Sequence, residues 1–301
     1  MTENSIVAGA VSAAPAHRAS SYLYKHAKAR LRLLLAAPVF WLGLVYIAAL
    51  LMLLITAFWS VDEFTGATKV IWNLDNITSL FSSSLYAAVT ARTIGIALAV
   101  TVVDVLLALP IAFFMSKVAG PKVRNVLAIS VLLPLWASYL VKAYAWRSVL
   151  SNTGVLQWLL DPLGLQSPGY SLFGAALTLG YMWLPYVILP IYAGLEKIPG
   201  NLLEASSDLG AGTLTTIRRV VFPLVLPSII AGSIFAFSLS LGDYITINIV
   251  GGASQMLGNL IYTNVGTANN LPMAAALALI PIAIMFVYLG AVRRTGALDN
   301  L

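Results

Sequence analysis

The longest apolar runs constrain most strongly what this chain can fold into. Six stretches are long and apolar enough to cross about 30 Å of hydrocarbon, since a helix rises about 1.5 Å per residue. They cover residues 33–58, 86–115, 125–150, 171–195, 224–250 and 271–292. Only 9% of the residues are charged, too few to cover a water-facing surface. The sequence therefore predicts an all-α membrane protein with six transmembrane helices.

Positive charges are distributed unevenly among the segments that connect these runs. Of the 17 Lys and Arg residues, thirteen lie at the two termini and in the second and fourth connections: Arg18, Lys25, Lys28, Arg30, Arg32, Lys117, Lys122, Arg124, Lys197, Arg218, Arg219, Arg293 and Arg294. The other three connections hold only Lys69. Because cytoplasmic loops carry the excess of Lys and Arg, we expect both termini in the cytoplasm.

The predicted organisation is a cytoplasmic tail over residues 1–32, a transmembrane domain over 33–292 and a second cytoplasmic tail over 293–301. The first apolar run is too long for the core of a cleaved signal peptide, so we expect it to be retained. The net charge of +6 is accounted for by orientation in a lipid bilayer, and no nucleic-acid partner is expected. The chain has no cysteine, which excludes disulfides and thiolate chemistry.

The longest cytoplasmic connection, residues 196–223, reads EKIPGNLLEASSDLGAGTLTTIRRVVFP. Asn201 is a suitable N-cap for a short helix over residues 202–209, and Gly210 suits a left-handed C-cap. Thr213 can cap a second short helix that ends at Pro223. Leucines give the first helix an apolar face, and Glu204 and Asp208 lie four residues apart. Such a helix suits docking into a groove of a partner protein, although an ordinary solvated loop has the same composition.

The spacing of Glu204-Ala205-Ser206, three residues, Gly210 and then Pro223 resembles the EAA loop of ABC importer permeases. Ser206 replaces the second alanine of that motif, and the residues before Pro223 are also mild departures from it. The resemblance implies a type I importer fold in which Glu204, Ala205, Ser206, Asp208, Leu209 and Gly210 couple transport to a pair of ATP-binding subunits. ATP and Mg would then be bound by that partner ATPase, and this chain would hold no cofactor. Consistently, the sequence has no GxxxxGK[ST] phosphate loop.

Two further segments look like the polyamine (spermidine/putrescine) subfamily of these permeases. Residues 133–146 read LPLWASYLVKAYAW and residues 181–192 read YMWLPYVILPIY. The resemblance implies a second, homologous permease subunit, an extracytoplasmic substrate-binding protein and a place in the bacterial inner membrane. Related subfamilies for ferric iron, thiamine and opines share much of the pattern, so these substrates remain alternatives.

Ionisable residues within the predicted spans are candidates for the substrate path, because such residues are costly in lipid. Lys142 and Asp243 lie at similar depth with opposite sign, which fits a structural ion pair, contact with water at the outer surface, or an outer gate. Asp104 lies near the middle of its span without a cation of this chain at matching depth. It could hold a cationic substrate transiently, pair with the sister permease, or stay protonated.

Aromatic side chains crowd the same spans, and aromatic faces attract ammonium groups. Those assigned to the substrate path are Trp136, Tyr139, Tyr186 and Tyr244. Aromatic side chains also form interfacial belts and ordinary packing, so this pattern is less specific than the loop motif.

Two other functional classes are poorly supported by the residues. A membrane-embedded enzyme would need a recognisable catalytic set, but HExxH is absent and the only histidines are His17 and His26. An ion-coupled secondary transporter usually shows internal repeats and interrupted midplane helices, and neither is evident in the sequence. We therefore expect a transport subunit that is not itself an enzyme.

The distribution of cations predicts the side of the membrane on which each connection lies. Alkaline phosphatase fused at Asp161 or Ser254 should be active, because these connections are expected in the periplasm, whereas a fusion at Thr213 should be inactive. Green fluorescent protein at the same three positions should give the opposite pattern. A cytoplasmic signal at Asp161 would contradict the predicted topology.

Overall fold

A computed structural model describes residues 27–62 and 64–293. The chain divides into two compact units, and the described part of the first, up to Ile55, belongs to helix α1 (Ala27–Thr56). This helix includes an apolar stretch over Leu34–Thr56 with a mean hydropathy of 2.5, which confirms the first predicted apolar span. Most of both predicted tails, residues 1–26 and 294–301, lies outside the described residues.

The second unit begins with a short hairpin and a helix that join α1 to the next long helix. Strands β1 (Ser60–Val61) and β2 (Thr68–Lys69) pair antiparallel, and α2 (Asp75–Ser82) follows. Asp62 pairs with Lys69 and accepts backbone hydrogen bonds in the hairpin, which lowers the pKa of Asp62 from its usual value. Asn76 donates to the carbonyls of Ala57 and Trp59 at 3.0 and 2.8 Å. These polar contacts hold the connection together.

Three long helices form the centre of the second unit. They are α3 (Ser84–Phe113), followed by a π-helical turn over Phe114–Val118; α7 (Leu172–Glu196); and α10 (Phe222–Leu241). Glycine lets α7 and α10 approach closely, because a Cβ at Gly194 would lie only 2.1 Å from Ser228 Oγ. Buried aliphatic side chains fill the space between the three helices, including Val100, Leu179, Val187, Ile191 and Val225.

Shorter helices complete the unit in chain order. They are α4 (Pro121–Trp136), α5 (Tyr139–Leu150), α6 (Val155–Leu160), α8 (Gly200–Asp208), α9 (Thr213–Thr216), α11 (Ile245–Val250) and α12 (Leu257–Gly266), and the long α13 (Leu271–Arg293) is last. A π-helical turn over Ile217–Val221 joins α9 to α10. By length and composition, five helices can each cross a membrane, and the bent pair α4–α5 can supply the sixth crossing.

Two of the six predicted spans are not continuous helices, which corrects the sequence prediction. The third, 125–150, is broken at Ala137 and Ser138, where the backbone is extended and the axis turns by 98°. The fifth, 224–250, is broken between Leu241 and Ile245. Apolar residues flank both breaks, so hydropathy averaged over the length of a span does not reveal them.

Candidate functional site

Helix α8 and the turn after it form the loop that resembles the EAA motif. The helix starts at Gly200 with Pro199 as its N-cap, so the predicted cap at Asn201 is wrong by two positions. Gly210 has a φ of +78°. Its N–H donates a hydrogen bond to the carbonyl of Ser207 at 2.8 Å. The N–H of the next residue, Ala211, donates to the carbonyl of Ser206 at 3.1 Å. These two bonds make a Schellman C-cap, and the predicted left-handed glycine is confirmed.

The segment after Gly210 differs from the prediction in one respect. Helix α9 begins at Thr213, but the chain then continues through the π-helical turn and Pro223 into α10 without ending. The π-helical turn changes the hydrogen-bond pattern just before the proline, which has no N–H to donate. Pro223 therefore lies in the first turn of the long helix, where proline is tolerated.

One face of α8 is attached to the unit and the other is exposed. The Ser206 hydroxyl hydrogen-bonds that of Thr216 at 2.8 Å, and Leu203 packs against the main core. Glu204, Ala205 and Asp208 are exposed, and the Leu209 side chain is 88% exposed. The helix and its C-cap therefore present two acidic side chains and two leucines, Leu202 and Leu209, outward, a combination suited to docking.

Basic residues attach the base of α8 to the ends of the long helices. Lys117 Nζ donates to the carbonyl of Ile198 at 2.8 Å, two residues before α8 begins. Arg124 Nη2 donates to the carbonyl of Ser116 at 3.1 Å, and its Nη1 lies 3.6 Å from Glu196 Oε1. Helix ends leave carbonyls without intrahelical partners, and these cations satisfy several of them. The segment before α8 is thereby attached to the ends of α3 and α7 and to α4.

A second polar cluster forms where two helix breaks meet. The carboxylate of Asp243, between α10 and α11, accepts hydrogen bonds from the Tyr139 hydroxyl and from Thr246 N at 2.8 Å. The Thr246 hydroxyl lies 3.2 Å from the same carboxylate. Asp243 is only 7% exposed. Two of the predicted path residues, Tyr139 and Asp243, are therefore in direct contact.

Aromatic rings extend this cluster along α7. The Trp183 ring lies 5.9 Å from that of Tyr139 and 5.8 Å from that of Tyr186, measured between centroids. Sequence reasoning did not assign Thr246 to this site. Its position three residues after Asp243, in a capping arrangement, is a signal that could have identified it.

The remaining predicted path residues lie apart from this cluster. Lys142 is buried one turn beyond Tyr139 but forms no ion pair with Asp243; the described residues have ion pairs only at Asp62–Lys69 and Arg124–Glu196. Tyr244 stacks on Tyr262 with centroids 4.8 Å apart, and Trp136 is 87% exposed. Asp104 is fully buried on α3, where it faces α7 at Gly180.

Curated proteins similar to this chain are inner-membrane transport proteins. The chain is 42% identical to the inner membrane ABC transporter permease protein YdcU of Escherichia coli K12, over 94% of this chain and 95% of that protein. It is 34% identical to the spermidine/putrescine transport system permease protein PotB of Haemophilus influenzae, over 71% of this chain and 78% of that protein. The corresponding PotB of Escherichia coli K12 is 32% identical, over 86% of this chain and 95% of that protein.

Solved structures show that the fold is shared more widely. A chain of a bacterial ABC transporter that imports the polysaccharide alginate matches with a TM-score of 0.67 at 18% identity, covering 92% of this chain and 99% of that one. A chain of the MetNI methionine ABC transporter matches with a TM-score of 0.54 at 18% identity, covering 71% and 97%. At such identity the likeness establishes the fold and nothing about the solute.

A family description matches residues 97–295, well over half of the chain, and this stretch contains α7, the exposed α8 and the Tyr139–Asp243 cluster. The chain therefore belongs to the family of binding-protein-dependent transport system inner membrane components, the permease subunits of ABC importers.

Proposed function

We propose that this chain is one of two homologous permease subunits of an importer that moves polyamines inward, with both termini in the cytoplasm. A separate pair of ATP-binding subunits hydrolyses ATP, and an extracytoplasmic binding protein delivers the solute. Support for the delivery step comes from a structural relative, the alginate transporter, whose structure includes its periplasmic protein with bound alginate pentasaccharide.

The observation that carries the proposal is the exposed face of α8. A short helix with Glu204, Asp208 and Leu209 pointing outward, attached at its base through Ile198 and Ser206, can transmit a displacement. Its rigid C-cap at Gly210 keeps the helix and the following segment in one arrangement. In this proposal the ATP-binding subunits move α8, and the polar contacts at its base pass the movement to α3, α4 and α7.

Polyamines are proposed as the solute because the PotB relatives, at 32% and 34% identity, are named for spermidine and putrescine transport. The Tyr139–Asp243 cluster offers matching chemistry: a carboxylate whose hydrogen-bond donors among the described residues are all neutral, beside the aromatic rings of Trp183 and Tyr186. An ammonium 4 Å from a carboxylate gains about 4 kcal/mol at an effective dielectric constant of about 20, before desolvation is subtracted. The assignment of Lys142, Trp136, Tyr244 and Asp104 to the same path stays a prediction.

The double substitution of Glu204→Ala and Gly210→Val should abolish uptake. A β-branched residue is strained at a positive φ, by about 1–3 kcal/mol, and the alanine removes an exposed acid from the docking face. Uptake of radiolabelled spermidine and the ATPase activity of the purified complex should both be measured. The chain itself should remain in the membrane at its normal amount.

Gly212→Val provides a matched control for the change at Gly210. Gly212 has a φ of −70°, and a Cβ there would meet nothing within 4 Å, so valine fits without strain. This variant should keep nearly normal uptake. Normal uptake by the combined Glu204→Ala and Gly210→Val variant would contradict the coupling role of α8.

Removing the hydroxyl of Tyr139 should weaken transport of cationic solutes. Tyr139→Phe leaves the ring against Trp183 but takes away one donor to Asp243, and Asp243→Asn removes the charge while keeping the shape. We expect spermidine uptake to fall about tenfold or more in Asp243→Asn, equivalent to about 1.4 kcal/mol or more, and by a smaller factor in Tyr139→Phe.

Tyr144→Phe is the control, because Tyr144 lies on the same helix but is 56% exposed and outside the cluster. Its uptake should be unchanged. Wild-type uptake by both Asp243→Asn and Tyr139→Phe, at equal amounts of assembled complex, would remove the cluster from the substrate path.

A further inference from the structure

A cavity of about 380 Å³ lies where α7 ends, α8 begins and α10 starts. Lys197 lines it directly after α7, and Leu224, Pro227 and Ser228 line it from the first two turns of α10. Leu202 closes it from α8. Its volume lies within the range of about 300–1,000 Å³ that small-ligand sites occupy. A ligand in this cavity would therefore touch all three helices.

Two polar side chains of residues that line the cavity have no partner within the described chain. Lys197 is exposed and belongs to neither of the two ion pairs that the described residues form. Ser228 is half-buried. Among residues 27–62 and 64–293, neither the Lys197 ammonium nor the Ser228 hydroxyl forms a hydrogen bond. Because an ammonium and a hydroxyl can both donate, the cavity offers two free donors to a ligand that supplies acceptor oxygens.

The polar and apolar parts of the cavity lie at different depths. The apolar stretch of α7 ends at Glu196, so Lys197 is the first residue beyond it. Leu224 and Pro227 lie within the apolar stretch Thr213–Leu241, and Leu224 is 50% exposed. The cavity thus has its cation at the membrane surface and exposed apolar side chains on the hydrocarbon side. A ligand that is anionic at one end and apolar at the other matches this order.

We propose that an anionic phospholipid of the cytoplasmic leaflet binds here, with its phosphate at Lys197 and Ser228 and its acyl chains against Leu224. The inference rests on the proposed function, both for the cytoplasmic position of the cavity and for the coupling role of α8. Basic pockets between transmembrane helices on this side of a membrane bind anionic headgroups. Since Leu202 belongs to α8, the bound lipid stabilises one position of α8 against α7 and α10, and lipid composition then affects coupling.

Other anionic ligands fit the cavity less well than a phospholipid. The exposed face of α8 carries Glu204 and Asp208, so a complementary surface of the ATP-binding subunit is positive there. Such a surface would repel Lys197 and could not supply its counterion. Inorganic phosphate would satisfy both donors, but it would leave the exposed apolar side chain of Leu224 without a partner. A phospholipid satisfies the polar and the apolar part together.

A second cation allows a matched test of lipid binding. Lys122, in the first turn of α4, is exposed and does not line the cavity. The full complex with both permeases and the ATPase is delipidated and titrated with phosphatidylglycerol, and bound lipid is counted by native mass spectrometry. Affinity should fall about fivefold in Lys197→Gln, the contribution of one cation at a membrane surface. Ser228→Ala should lose less, and Lys122→Gln and Lys197→Arg should bind as the wild type does.

Reconstitution separates a lipid headgroup from free phosphate as the ligand. In nanodiscs of phosphatidylcholine alone, the solute-loaded binding protein should stimulate the ATPase weakly. Adding phosphatidylglycerol should raise this stimulation in the wild type and in Lys122→Gln, but not in Lys197→Gln. Adding inorganic phosphate to the phosphatidylcholine nanodiscs should leave the stimulation unchanged, because phosphate does not fill the apolar part of the cavity.

Four outcomes would overturn the inference. They are equal affinity for phosphatidylglycerol in Lys197→Gln and the wild type, an equal loss in Lys122→Gln, which means contact with bulk lipid only, displacement of the lipid by inorganic phosphate, and a carbodiimide crosslink from Lys197 to an acidic side chain of the ATP-binding subunit. Uptake of radiolabelled spermidine by the wild-type complex tests the proposed function separately. No uptake by a complex that binds phosphatidylglycerol through Lys197 would contradict the proposed function and leave the lipid site standing.

Discussion

The rest of the structure depends on the packing of α7 between α3 and α10. Small residues make this possible: Gly194 accommodates Ser228, and Gly232 of α10 lies against the backbone of Val187. Lipid tails are as apolar as leucine, so helices in a membrane gain stability from close contact and not from exclusion of water. Once α7 is held in this way, its faces acquire separate roles. Trp183 meets the polar cluster on one side, and Gly180 lies under Asp104 on another.

The end of α7 connects this packing to the exposed helix α8. Glu196 is the last residue of α7, and the carbonyl of Ile198 receives Lys117 from the end of α3. Arg124, near the start of α4, bridges the end of α3 and Glu196. These contacts use helix-terminal carbonyls that need partners in any case. These contacts attach the residues that precede α8 to the ends of α3 and α7 and to α4.

Interruptions in helices account for the polar cluster. Tyr139 is the first residue of α5 after the 98° bend, and Asp243 lies in the gap between α10 and α11. A carboxylate inside a membrane needs donors, and a helix break exposes free N–H groups such as that of Thr246. The same break that provides a backbone donor to the buried Asp243 carboxylate also holds this carboxylate beside Tyr139. Asp104 lies within the continuous helix α3, and among the described residues its carboxylate has no hydrogen-bond partner.

The sequence by itself determined the features that depend on local composition and spacing. Apolar runs specified the membrane helices, and Gly210 specified a left-handed cap because only a residue without Cβ adopts that backbone at little cost. The motif around Glu204 identified the family. The tertiary structure alone decided the bends at Ala137 and Asp243, because hydropathy averaged over the length of a span stays high across them. It also decided which polar groups meet: equal depth suggested a pair between Lys142 and Asp243, but Asp243 lies in the gap between α10 and α11, where Tyr139 and Thr246 donate to it. Depth follows from residue number along a helix, whereas the partner of a side chain follows from where the helices break and how they pack.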